Sequence, residues 1–195
     1  VVQVFRIWGI FFLCRERGRL NLLPGLTNPE AGYRSRYVHE REWTTPNYYG
    51  VDLLDYGVRA EMTSGVRSGM FCFTYPESEK AFILIDLNHT LWQSCEWSNV
   101  RFENDSTLTG YKLVKGWGPE RHIYFTAVFS RPFENYGIMQ DTTPVVYNTK
   151  RFRSHLEAWG KNLKVWMKFK TETGEKVYVK TAISAVSTEG AKLNI

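Results

Sequence analysis

Leu163-Lys164-Val165-Trp166-Met167-Lys168-Phe169-Lys170 alternates residue by residue between two faces, one of them carrying three lysines. A chain that changes character every second residue is a strand with one face buried and one face wet. Lys176-Val177-Tyr178-Val179-Lys180-Thr181 repeats the pattern. The intervening Glu172-Thr173-Gly174-Glu175 has the length of a hairpin loop and a glycine for positive φ, so these two runs are expected to pair. Leu163, Val165, Val177 and Val179 then face a core. Lys164, Lys168, Lys170, Lys176 and Lys180 gather on the opposite face, read first as a solvated sheet surface and second as a docking surface.

Working outward, Val58-Arg59-Ala60-Glu61-Met62-Thr63 alternates without a miss, and Arg121 to Phe129 places Ile123, Phe125, Ala127 and Phe129 inward. Ala81-Phe82-Ile83-Leu84-Ile85-Asp86-Leu87 is almost continuously apolar, as a strand covered on both faces would be. Cys72, inside Met70-Phe71-Cys72-Phe73, reads as a small core hydrophobe. Turn signals recur at Asp55-Tyr56-Gly57, Tyr75-Pro76-Glu77-Ser78, Gly116-Trp117-Gly118-Pro119 and Arg131-Pro132. Closely spaced strands with such punctuation predict an all-β fold, an antiparallel β-sandwich with few short helices. Residues 149–160 suggest one amphipathic helix, with Phe152, Leu156 and Trp159 on one side. Ser187 suggests an N-cap for a second, with Glu189 in its first turn. That helix has barely two turns before Ile195, so the polypeptide is expected to continue.

At 195 residues the chain has room for one domain with a real core. The net charge of +5 is spread without a basic run, which argues against a nucleic-acid partner. The apolar start, Val1 to Cys14, is too short to span a membrane and lacks the charged region and cleavage site of a leader; a strand is the expectation. The three cysteines have no C-x-x-C spacing, so no zinc site follows, and three buried thiols are expected in preference to one bridge with a free thiol.

No catalytic motif is present: neither a nucleophile elbow, nor a phosphate-binding glycine loop, nor H-E-x-x-H. His39-Glu40-Arg41-Glu42 comes nearest. On a strand Glu40 and Glu42 would share a face as paired carboxylates, but Arg34, Arg36 and Arg41 nearby favour an ion-paired surface. The four histidines are scattered and form no ligand set. Seven tryptophans is many, and Trp92, Trp97 and Trp117 fall in or near expected loops, where an indole face suits a sugar ring. Core or interface positions are their other reading.

Gly32-Tyr33-Arg34-Ser35-Arg36-Tyr37-Val38-His39-Glu40, followed by Pro46-Asn47-Tyr48-Tyr49-Gly50-Val51, resembles a stretch typical of glycoside hydrolase family 92. So does Tyr56-Gly57-Val58-Arg59-Ala60-Glu61-Met62-Thr63 with Arg67-Ser68-Gly69 and Phe73-Thr74-Tyr75-Pro76. Gly110-Tyr111, Gly116-Trp117, Ile123-Tyr124-Phe125, Phe129-Ser130-Arg131-Pro132-Phe133 and Ala191-Lys192-Leu193-Asn194 continue the match in order. Together they cover roughly residues 19 to 195, and residues 1–18 match poorly.

The resemblance implies the N-terminal β-sandwich of a bacterial, calcium-dependent, inverting exo-α-mannosidase, truncated at both ends. Residues 1–186 would form the sandwich, and residues 187–195 would begin a linker towards an (α/α) barrel absent from the chain. The barrel would hold the catalytic carboxylates and the calcium, so no catalytic or metal residue is assigned here. Arg34, Arg36, His39, Glu40, Trp92, Trp97 and Trp117 are the candidates for touching mannose-containing glycans or the barrel. A periplasmic or extracellular location follows from the family alone. The rival readings are a stand-alone carbohydrate-binding module, which exposed coplanar tryptophans on one sheet face would favour, and a structural or adhesive sandwich.

Overall fold

The computed structural model describes residues 32–90, 94–116, 118–145 and 156–195 in full, residue 25, and the backbone of residues 2–3, 5–7 and 10–15. Two large antiparallel sheets face one another. The nine-stranded sheet runs in the order β15 (Glu157–Gly160), β10 (Ser94–Phe102), β11 (Thr107–Lys115), β12 (Arg121–Phe129), β17 (Glu175–Ser184), β8 (Ser68–Tyr75), β7 (Val58–Ser64), β6 (Tyr48–Leu53), β5 (Glu42–Thr45). The six-stranded sheet runs β14 (Thr143–Pro144), β13 (Asn135–Gln140), β16 (Leu163–Thr171), β9 (Ser78–Asp86), β3 (Ile10–Arg15), β2 (Phe5–Ile7). A two-stranded ribbon joins β1 (Val2–Gln3) to β4 (Ser35–Arg36). The all-β sandwich read from the alternation is therefore the fold, and the apolar start of the chain supplies strands, as expected.

Alternate residues of both sheets fill the space between them. Phe71, Phe73, Val100, Phe102, Phe125, Val177 and Val179 come from the larger sheet, and Ile83, Ile85, Val165, Met167 and Phe169 from the smaller; all are buried in one cluster. Ile123 is half-buried at the rim of the inward row that Phe125, Ala127 and Phe129 continue. Ile83 to Asp86 of β9 are buried on both faces, and so is Leu87 just after it, as the nearly continuous apolar run requires.

Several local expectations are corrected. The runs around Leu163 and Lys176 do not pair: β16 lies between β13 and β9, whereas β17 lies between β12 and β8. The turn between them crosses from one sheet to the other, and the β8–β9 connection does the same beside it. Gly174 has φ +80 and its amide donates to the Tyr75 carbonyl at 2.9 Å, while the Thr171 hydroxyl donates to Pro76 O at 3.0 Å. Two corners thus clamp each other. The four named valines and leucines are core, but the lysines divide between two outer surfaces, and Lys164 is itself buried.

Cys72 stands between the inward Phe71 and Phe73 and so points outward, half-buried; Cys95 is buried, and both are free thiols. Period two overrides the apolar character of that run. Residues 157–160 form an edge strand on β10 instead of the end of a helix, and the rest of that expected helix, 149–155, lies outside the described residues. The second helix does form: α1 (Thr188–Lys192) is capped by Ser187, whose hydroxyl accepts from the Gly190 amide at 3.0 Å.

Candidate functional site

The Arg34–Glu42 segment is not one strand. After Ser35–Arg36 it turns, and His39–Arg41 makes a single 3-10 turn ahead of β5. Glu40 and Glu42 therefore do not share a strand face. Arg36 forks onto Asp55, with Nη2 and Nε donating to Oδ1 at 2.5 and 2.8 Å and the Arg36 amide donating to Oδ2 at 2.6 Å. This latches the segment to the β6–β7 turn, which is tied again by Tyr56 OH donating to Tyr33 O at 2.9 Å. Arg34 Nε is a buried donor with no acceptor among the described residues. His39 is exposed and its Nδ1 meets Glu42 Oε2 at 2.7 Å; Glu42 Oε1 accepts from Tyr49 OH at 2.5 Å. Those hydrogen bonds, Tyr49's first, hold the Glu42 carboxyl below the usual range. Glu40 is simply exposed.

Trp97 belongs to strand β10, beside a register shift at Cys95/Trp97, and not to a loop. Trp92 and Trp117 lie outside the described residues. The indole absent from the sequence-derived candidates is Trp159 on β15. It shares the outer face with Trp97, because Asn99, two residues after Trp97, is directly opposite Trp159. The two are 44% and 52% exposed. Reading residues 157–160 as helix hid this neighbour, since helical and two-residue periodicities cannot be told apart over four residues.

A buried polar group lies where the sheets meet near the end of β9. Tyr33 OH donates to Asp86 Oδ2 at 2.7 Å, and the Asn88 amide donates to Oδ1 at 2.9 Å. Burial and the adjacent Asp86 carboxylate push the Tyr33 phenol up. Across the sandwich Lys112 is only 1% exposed, and its ammonium donates to the His89 carbonyl at 2.8 Å. Burial brings its pKa down to about 8, against the pull of nearby Cys95 and Asp86.

An inverting glycosidase needs a proton-donating carboxyl held above its usual pKa opposite a second carboxylate that activates water. Among the described residues, the carboxyls with a displaced pKa move the other way. Ser94 and Lys161 hold Glu96 down, and the Glu189 carboxyl is held down by its own amide and Thr188. Burial would raise Glu103, but Thr109 and Lys192 outweigh it. No three His, Cys, Asp or Glu side chains converge as a metal site among the described residues. The described arrangement is suited to binding and packing.

Comparison with known proteins places this geometry. The model of the glycosyl hydrolase family 92 N-terminal domain matches residues 12–184. The GH92 α-mannosidase BT3965 from Bacteroides thetaiotaomicron, solved alone and in complex with mannoimidazole, superposes with a TM-score of 0.90 at 64% identity over 96% of this chain. The GH92 inverting mannosidase BT2199 from the same species shares the fold, with a TM-score of 0.74 at 21% identity over 95% of this chain. This chain spans 25% and 23% of those proteins. Curated protein sequences yield no match. With the family model and BT3965 covering nearly its whole length, the chain belongs to glycosyl hydrolase family 92 as its N-terminal domain.

Proposed function

We propose that this chain is the non-catalytic, substrate-side domain of a calcium-dependent, inverting exo-α-mannosidase, forming one wall of the active-site cleft and bracing the catalytic part. The observation that carries this reading is the match of residues 12–184 to the family's N-terminal domain in a chain that spans 25% of BT3965. In this reading residues 1–186 are the sandwich and residues 187–195 begin a linker. The intact enzyme acts on mannose-containing glycans in the periplasm or outside a bacterial cell. In this reading the calcium belongs to the catalytic part, and no step here runs through it.

The test is release of the aryl group from an aryl α-mannoside. The 195-residue chain is expected to give none, and the intact polypeptide to turn over; genuine turnover by the chain alone would overturn the assignment of roles. One observation favours a second reading, a carbohydrate-binding module: Trp97 and Trp159 are both exposed on one sheet face. Calorimetric titration of the chain with mannose and α-mannobiose, in calcium and in chelator, separates the two. The wall of a composite site gives no heat in either buffer, whereas a module binds in both.

A further inference from the structure

The outer face of the nine-stranded sheet is already half covered. Thr109, Thr126 and Ala182 stand opposite one another on β11, β12 and β17 and point away from the core, yet they are 3%, 1% and 1% exposed. Helix α1 lies against these three strands, with its own Ala191 fully buried. Its approach is close, since a Cβ on Gly190 would sit 2.7 Å from Ser184 Oγ. The next row along the same face is Trp159–Asn99–Tyr111–Tyr124–Ser184, and the row beyond it is Trp97–Leu113–His122. Among the described residues Trp97, Trp159 and His122 of these rows are exposed, Tyr111, Leu113, Tyr124 and Ser184 are half-buried, and Asn99 is buried between them. Half-open rings side by side next to an occupied surface mark an interaction site.

The polar atoms of the patch identify its partner. Trp159 Nε1 donates to Glu157 Oε1 at 2.8 Å, and Asn99 Nδ2 donates to the Ala158 carbonyl at 3.1 Å. Tyr111 OH meets His122 Nδ1 at 2.8 Å. These bonds hold Trp159 and Tyr111 in place within the sheet, so the surface offers pre-ordered apolar ring faces. A sugar asks for directional hydrogen bonds to its hydroxyls, whereas a packing protein surface asks for apolar area and loses little entropy on a rigid one. We propose that this face, carrying Trp97, Leu113, Tyr111, Tyr124 and Trp159 next to α1, is where the remainder of the mannosidase polypeptide packs. The inference rests on the reading of the chain as a domain of a larger enzyme, and it moves the interface away from the Arg34–Glu42 segment, whose Arg36 is already engaged by Asp55.

Hydroxyl-radical footprinting with mass spectrometry reads the tryptophans directly and needs no variant. Trp97 and Trp159 are expected to oxidise at least ~fivefold more slowly in the intact mannosidase polypeptide than in this 195-residue chain, as full burial of half-exposed indoles requires. Equal rates would overturn the proposal. So would slower oxidation of the 195-residue chain on adding α-mannobiose, which would make the face a sugar platform. Aryl α-mannosidase activity of the same intact sample keeps the two claims apart. Turnover with unprotected tryptophans sinks the interface and leaves the function; protection without turnover sinks the function and leaves the interface.

Discussion

Lys112 occupies an inward position of β11, opposite Ser98, on the strand face that also carries the buried Leu108 and Val114. Burial lowers its pKa from 10.5 to about 8, so as pH rises the folded protein releases this proton before the unfolded chain does. The cost of burying the cation is therefore complete below about pH 8 and is relieved as pH rises towards 10.5. Lys112→Met removes this pH dependence. Urea unfolding of both proteins should show the wild type gaining about 2 kcal/mol on the variant between pH 7 and pH 9.5. Tyr33→Phe tests the neighbouring bond. It leaves Asp86 Oδ2 buried without its hydroxyl donor and should cost about 1–3 kcal/mol. Neither residue stands out in the sequence, because a lone lysine in a strand reads as solvent-facing and its acceptor, the His89 carbonyl, comes from the β9–β10 connection twenty-three positions away. Arg36 was legible as an ion-paired arginine; its partner Asp55, nineteen positions away, was not.

Elements were legible wherever the period decided them, and misread wherever pairing decided them. β16 and β17 alternate faultlessly and are joined by a glycine turn, yet they belong to different sheets. Nothing local separates a hairpin from a corner, because inward residues stay inward through either. The deciding contacts, Gly174 to Tyr75 and Thr171 to Pro76, come from a second corner 95 or more residues earlier in the chain, a long-range docking that no local periodicity encodes. Glycine carries more positional information. A Cβ on Gly110 would meet the Asn99 carbonyl oxygen and the Phe125 ring, one of which is backbone and cannot yield. Gly110→Ala should cost about 1–3 kcal/mol by overpacking, seen as a lower urea midpoint with an unchanged slope. On the opposite face of the same strands, Ser187→Ala removes the cap of α1 and should cost about 1 kcal/mol. Faster amide exchange confined to residues 188–194 would be its signature, since the cap serves only that turn.

The two sheets share one core, and aromatic rings bridge them. Phe169 of the smaller sheet is fully buried, with ring centroids 6.2 Å from Phe129 of the larger sheet and 5.8 Å from Phe133, which lies on the crossover between them. Phe133 in turn packs edge-on against Phe102 and Phe129. The paired corners fasten the sandwich at β8–β9 and β16–β17, so neither sheet can open without exposing the ring cluster of the other. Unfolding should then be one transition for both. Phe169→Ala empties the centre of this cluster and should cost about 3–5 kcal/mol, a large part of the 5–15 kcal/mol typical of a domain. Urea titrations followed by far-UV circular dichroism, which reports all the strands, and by near-UV dichroism of the packed rings should fall together in wild type and variant, both midpoints moving by the same amount. If the near-UV signal were lost first in the variant, the sheets would be separable units, and the corners, not the rings, would be holding them as neighbours.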